Sequence, residues 1–169
     1  MKKFLITPVW LLCLVCLFMM TACGEDNTPP TSSPEEHIPE NGIVFVDENT
    51  VVFTATSDVM PIGEKTMLID YLGGLQEKAL LTYDGYTGDY GYYVTAVNGK
   101  AEAYGDTSMQ YWAFYTNLYS YNGVDYALAD YGTYEYGGVT YCACGYGVSA
   151  MPVVQGYTYV IAYTTYSYA

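Results

Sequence analysis

The side chains of this sequence best suited to chemistry are Cys142 and Cys144, the carboxylates of Asp125, Asp130 and Glu135, and 22 tyrosines. Each can be tested against what its chemistry requires. A nucleophile needs a base beside it. The single histidine, His37, lies among prolines near the N-terminus, so Ser-His and Cys-His arrangements are not expected in the body of the chain. Cys142-Ala143-Cys144 supplies two sulfurs, half of a zinc site. On a strand, residues two apart share a face, and a disulfide between them is strained, so free thiols are expected. Asp125, Asp130 and Glu135 offer a glycosidase-like carboxylate pair, but a solvated loop and an outward strand position fit them better. The run 84–89, with aspartates at both ends, suggests calcium. It lacks the alternating ligands and closing glutamate of a calcium loop, so a glycine-bearing turn is expected. No glycine loop leads into a helix with a phosphate-binding lysine. These absences predict a protein that is not an enzyme and requires no metal or cofactor.

The N-terminus has a different chemistry. Lys2 and Lys3 precede an uncharged apolar run over 4–20, which ends in Met20-Thr21-Ala22-Cys23. A membrane span needs about 20 apolar residues, so a cleaved signal is expected rather than a span. The small residues ahead of Cys23 resemble the lipobox of bacterial lipoproteins. The resemblance implies a signal peptide over 1–22, removed by cleavage before Cys23, and a diacylglycerol thioether on the Cys23 sulfur. The protein would then sit on the extracytoplasmic face of the cell membrane, with the bilayer as its first partner.

Charge narrows the other partners. From Cys23 onward there are three lysines, no arginine and 18 acidic residues, a formal net charge of −15. Such a chain has almost nothing with which to neutralise phosphates, so nucleic acid is excluded as a partner. Anionic headgroups repel it too, which leaves attachment to the lipid. Each buried CH₂ of an acyl chain contributes about 0.8 kcal/mol, so two or three chains hold firmly where one does not.

The residues able to do chemistry need elements to position them. The stretch 23–41 carries Pro29, Pro30, Pro34 and Pro39 among Ser, Thr and Glu, and is expected to be an unfolded linker. The remainder, 42–169, has the size of one domain. Two β-rich runs, 43–46 and 51–56, predict a hairpin. Over 64–81, Leu68, Tyr71, Leu72, Leu75 and Ala79 form one helical stripe, with Gly73-Gly74 inside it. A loop is expected over 84–91. Strands are expected over 92–97, stopped by Asn98-Gly99, and over 111–116. A tight hairpin is expected around Gly137-Gly138, and a last strand over 157–163. Two strands, one helix and several more strands predict an α+β domain that is mostly sheet. All 22 tyrosines lie between Tyr71 and Tyr168. They fit either half-buried sheet faces or a binding surface.

Four segments in order carry a further resemblance. They are 63–72 with its Gly-Glu-Lys-Thr start, 90–99 (Tyr-Gly-Tyr-Tyr-Val-Thr-Ala-Val-Asn-Gly), 111–117 (Tyr-Trp-Ala-Phe-Tyr-Thr-Asn), and 147–159 with its Val-Val-Gln-Gly lead into the last strand. Together they resemble a bacterial lipoprotein domain family related to the C-terminal domain of transcobalamin and intrinsic factor, over about 42–166. The resemblance implies a β-grasp-like single domain with one packed helix. It also implies recognition of a small ligand, a corrinoid or another small cofactor. The alternative is a structural or adhesion module that binds a protein or glycan at the cell surface.

Strand alternation assigns the candidate site. Trp112 shares a face with Phe114 and is expected in the core, which turns Tyr111 and Tyr115 the other way. A ligand platform needs flat apolar groups and a few polar atoms. Tyr115, Asn117 and Tyr119 supply these beside a long segment over 119–146, with Tyr134 and Tyr146 closing over them. The lipobox generates the first prediction: Cys23→Ser abolishes acylation and releases the domain or leaves its signal uncleaved. Mass spectrometry of the variant decides it, and an acylated protein still cut after Ala22 contradicts it.

Overall fold

The computed structural model describes residues 42–168. The expected signal peptide, Cys23, His37, the linker and Ala169 lie outside the described residues. Within them, strands dominate and one helix is present, an α+β arrangement.

The first hairpin forms as expected. β1 (Ile43–Asp47) pairs antiparallel with β2 (Thr50–Thr54). The helix, α1 (Leu68–Glu77), is shorter at both ends than the stripe predicts. At its start, the Thr66 carbonyl is taken by the Val153 N–H, and Met67 is extended and bridges Pro152. This strand-like contact holds 66–67 out of the helix. The Asp70 carboxylate then accepts the Met67 N–H at 2.9 Å, and the Leu68 and Ile69 N–H groups donate to the Met151 and Val148 carbonyls. These bonds satisfy donors that a helix start leaves open. At the other end Ala79 adopts φ 55°, and the Leu80 N–H donates to the Leu75 carbonyl. The chain turns there so that Leu81 reaches the core. Gly74 sits where a Cβ would lie 3.3 Å from the Met60 side chain, a close approach that accounts for glycine inside the helix.

The segment 84–91 is not a loop. β3 (Tyr83–Gly88) pairs with β4 (Gly91–Val97), placing Tyr86 opposite Tyr93 and Thr87 opposite Tyr92. Cross-strand aromatic contacts of this kind stabilise a ladder despite its glycines. β5 (Lys100–Ala101) returns through Asn98-Gly99, both at positive φ, and completes a three-stranded sheet. β6 (Ala103–Tyr104) then leaves that sheet and pairs with β7 (Ser108–Thr116).

The long segment 119–146 is also largely strand. β8 (Ser120–Tyr121) and β9 (Val124–Asp125) make a small hairpin over Asn122-Gly123. β10 (Ala127–Tyr136) and β11 (Val139–Cys144) form the expected tight hairpin, with Gly137 and Gly138 both at positive φ. β12 (Thr158–Ser167) closes the main sheet, whose strand order is β1-β2-β12-β7-β11-β10.

The two faces of the main sheet differ. On one, Leu68, Tyr71, Leu72 and Leu75 of α1 pack with Phe53, Trp112, Tyr159 and Ile161. Phe53 lies between two rings, 5.4 Å from Tyr71 and 5.5 Å from Tyr159, nearly parallel to both. The buried phenols have partners: Tyr71 Oη accepts the Thr56 N–H at 2.9 Å, and Tyr159 donates to the Pro152 carbonyl at 2.9 Å. On the other face, Val52, Tyr115, Tyr141, Val160 and Ala162 form a second cluster. Trp112 and Tyr115 thus lie on opposite faces, as alternation predicts. Leu72 is fully buried, and truncating such a leucine typically costs about 2–5 kcal/mol. Leu72→Ala is therefore expected to lower the urea midpoint well below that of the surface control Glu77→Ala; equal midpoints contradict this packing.

Candidate functional site: an aromatic cleft at a split in the sheet

β7 pairs with β12 over nine consecutive registers, from Ser108 to Thr116. Its opposite edge is shared between two strands. β6 pairs only at Met109 and Gln110, and β11 only at Tyr115 and Thr116. Among the described residues no strand ladder covers 111–114 on that edge. The sheet is split there, and the β3–β4–β5 sheet approaches the opening through β4.

The split holds a cleft of about 490 Å³. β4 contributes Tyr92 and Tyr93, β7 contributes Tyr111, Trp112 and Phe114, and the segment after β11 contributes Tyr146 and Gly147. Nine of the 17 lining residues are aromatic and none is charged, so the cleft can hold a flat apolar body without desolvating a charge. Gly147 and Val148 in its wall lead on to Met151, and the Val148 and Met151 carbonyls receive the first N–H groups of α1, so the helix start and this part of the cleft wall are fixed together. Ser149 adds to this, its hydroxyl accepting the Tyr92 N–H at 2.8 Å.

The polar groups at the cleft are neutral. Cys144 lines it, and burial pushes its thiol up to about 12. A thiol raised this far stays protonated at neutral pH and is a poor nucleophile. Cys142, two residues earlier, is buried, and both cysteines are free. Burial is the leading cause that raises the Tyr115 phenol, with the neighbouring Tyr111 phenol next. Among the described residues no group of three or more metal-ligating side chains is present.

The residues singled out from the sequence divide between this cleft and structural positions. Tyr146 lines the cleft, 45 % exposed, with its ring 5.2 Å from that of Tyr126. Tyr115 is buried in the second cluster and borders the cleft, with its ring 5.7 Å from Tyr134. Tyr134 shares a hydrogen bond of 3.0 Å with the Thr50 hydroxyl. Asn117 Oδ1 accepts the Thr158 N–H at 2.9 Å and so closes the end of the β7–β12 ladder. Tyr119 donates to the Thr140 carbonyl at 3.3 Å. Asn117, Tyr119 and Tyr134 are not among the lining residues, whereas Tyr92, Tyr93, Tyr111 and Phe114 are and were not singled out. Asp125, Asp130 and Glu135 all lie exposed on β9 and β10, as expected of solvated positions. No family model matches the chain, and no curated protein or solved structure matches it either.

The titrating groups generate a pH prediction. Burial is the leading cause that raises Cys144, Tyr71, Tyr115 and Tyr159. In the unfolded chain, thiols and phenols ionise near about 8.5 and 10. Above those values the unfolded state releases protons that the folded state retains, so stability is full below about pH 8 and falls as pH rises towards the folded values. Urea midpoints are expected to be flat from pH 7 to 8 and clearly lower at pH 10.5. A midpoint unchanged at pH 10.5 contradicts this.

Proposed function

We propose that this chain is a membrane-tethered, extracytoplasmic ligand-binding lipoprotein. Its β-grasp-type domain would receive a small, flat, uncharged ring system in the cleft beside β7. The observation that carries the reading is the cleft itself: about 490 Å³, nine aromatic walls and no charged one. Volumes of roughly 300–1,000 Å³ with apolar walls and a few polar atoms are the usual form of a small-molecule site. Stacking on Tyr and Trp rings supports a planar ligand. Phenol hydroxyls that keep their protons can orient its rim. A corrinoid edge or another ring-bearing cofactor has this chemistry, in line with the transcobalamin-like resemblance of the sequence. Anchoring through acylated Cys23 would hold the domain at the membrane on a proline-bearing linker.

A second reading rests on a separate observation. Tyr86, Tyr90, Tyr104 and Tyr119, none of which lines the cleft, are each more than half exposed. A surface rich in exposed tyrosine also suits a structural or adhesion module that binds a protein or glycan.

Fluorescence separates the two. From Cys23 onward Trp112 is the one tryptophan, and it lines the cleft. Cobinamide, cobalamin and a panel of neutral planar cofactors are titrated into that chain in non-ionic detergent. Saturable quenching by at least one is expected, weakened about tenfold or more in Tyr111→Leu, since a lost ring contact of this size changes affinity by that order. Quenching that survives Tyr111→Leu and Phe114→Leu unchanged puts the ligand elsewhere. No response to any of them leaves the second reading.

A further inference from the structure

β10 leaves its ladder beside the cleft. Leu128 pairs with Ala143 and Thr133 with Cys142, so residues 129–132 stand between two partners that are adjacent on β11. An excursion of this length is a large bulge, and bulges re-aim side chains beside functional sites. β10 is the outermost strand of the main sheet, so no second neighbour holds the excursion in plane. Gly132 ends it at φ 125°, and a Cβ there would meet nothing within 4 Å. Such a φ is open to glycine and rarely to other residues. The chain therefore returns to the ladder through open space, with no packed wall behind it.

The excursion carries one ring, Tyr131. It lines the cleft along with Ala143 and Cys144 of the neighbouring strand, yet it is 71 % exposed. Among the described residues its ring packs on no other ring and its hydroxyl has no hydrogen-bond partner. Tyr92, Tyr93, Tyr115 and Tyr146, by contrast, each rest on a second tyrosine. A ring left this exposed has apolar surface still to bury, and a flat ligand in the cleft offers a face on which to bury it.

We propose that the 129–132 bulge is a flap, and that Tyr131 is the ring that closes over a ligand in the cleft and sets how long it stays. The inference rests on the cleft reading above and adds the residue that covers the ligand from outside. Tyr131 supports no packing of its own, so removing its ring acts on the bound ligand and leaves the sheet as it is.

The probes are lumichrome, a neutral planar tricycle, and cobinamide. Each is titrated into the chain from Cys23 onward in non-ionic detergent, with Trp112 fluorescence as the signal, and its release is followed by stopped-flow dilution. Tyr131→Ala is expected to speed release about tenfold, the order set by a lost ring contact, with association and the urea midpoint little changed. Tyr131→Phe is expected to release at the parent rate, since the ring and not the hydroxyl makes the cover. Nitration by tetranitromethane, mapped by mass spectrometry, is expected to slow at Tyr131 when a probe is bound. It should stay unchanged at Tyr104, which is similarly exposed and lies outside the cleft. The flap alone is overturned if Tyr111→Leu weakens a probe but Tyr131→Ala releases it at the parent rate, or if a bound probe leaves nitration of Tyr131 unchanged. If neither probe quenches Trp112, or if quenching survives Tyr111→Leu and Phe114→Leu unchanged, the flap is overturned together with the cleft reading.

Discussion

The nine-register ladder between β7 and β12 is the constraint from which the other features follow. Because side chains alternate along both strands, the ladder separates two populations of residues. Trp112, Phe114, Tyr159, Ile161 and Tyr163 face α1, while Tyr111, Tyr115, Val160 and Ala162 face away. One face builds the apolar core, and the other collects half-buried rings. A one-residue slip would exchange the two sets, placing tyrosines against the helix and the core residues in water. The ladder also makes β7 longer than the partners on its other edge. β6 and β11 reach only its two ends, and the split between them is the cleft.

The stability of the split is therefore supplied from elsewhere. The stack of Tyr71, Phe53 and Tyr159 ties α1 to β2 and β12 behind it. The carbonyls of Val148 and Met151 tie the start of α1 to the segment that walls the cleft. An uncovered strand edge invites pairing with other chains unless it is blunted. Here it lies recessed among the rings of β4 and the segment after β11. The same recess that protects the edge leaves room for a flat ligand, so protection and recognition share one cause.

Legibility from sequence followed the range of the signal. Local patterns could be read: the helical stripe from Leu68 to Leu75, the Asn98-Gly99 and Gly137-Gly138 turns, and the assignment of Trp112 and Tyr115 to opposite faces. Patterns diluted by glycine could not: 84–91 reads as a loop because the β3 ladder depends on Tyr93 and Tyr92 across the hairpin. The β8–β9 hairpin had a usable signal in Asn122-Gly123, but its strands are two residues long and show no periodicity. The cleft was least accessible. It depends on where β6 and β11 stop pairing with β7, and no property of 111–114 records the absence of a neighbour. Hence Tyr115 and Tyr146 were found beside it, while Asn117, which looked like a polar contact for a ligand, closes the β7–β12 ladder instead.

The cleft can be tested without knowing its ligand. Ala143 lines it, small and only half-buried. If the sheet is split as described, Ala143→Leu extends into empty space and adds apolar contact, so the urea midpoint at pH 7 should stay level or rise. If instead a strand or side chain closes the edge of β7, the larger residue is overpacked, at a typical cost of about 1–3 kcal/mol. A clear fall in the midpoint, with the slope unchanged, contradicts the account.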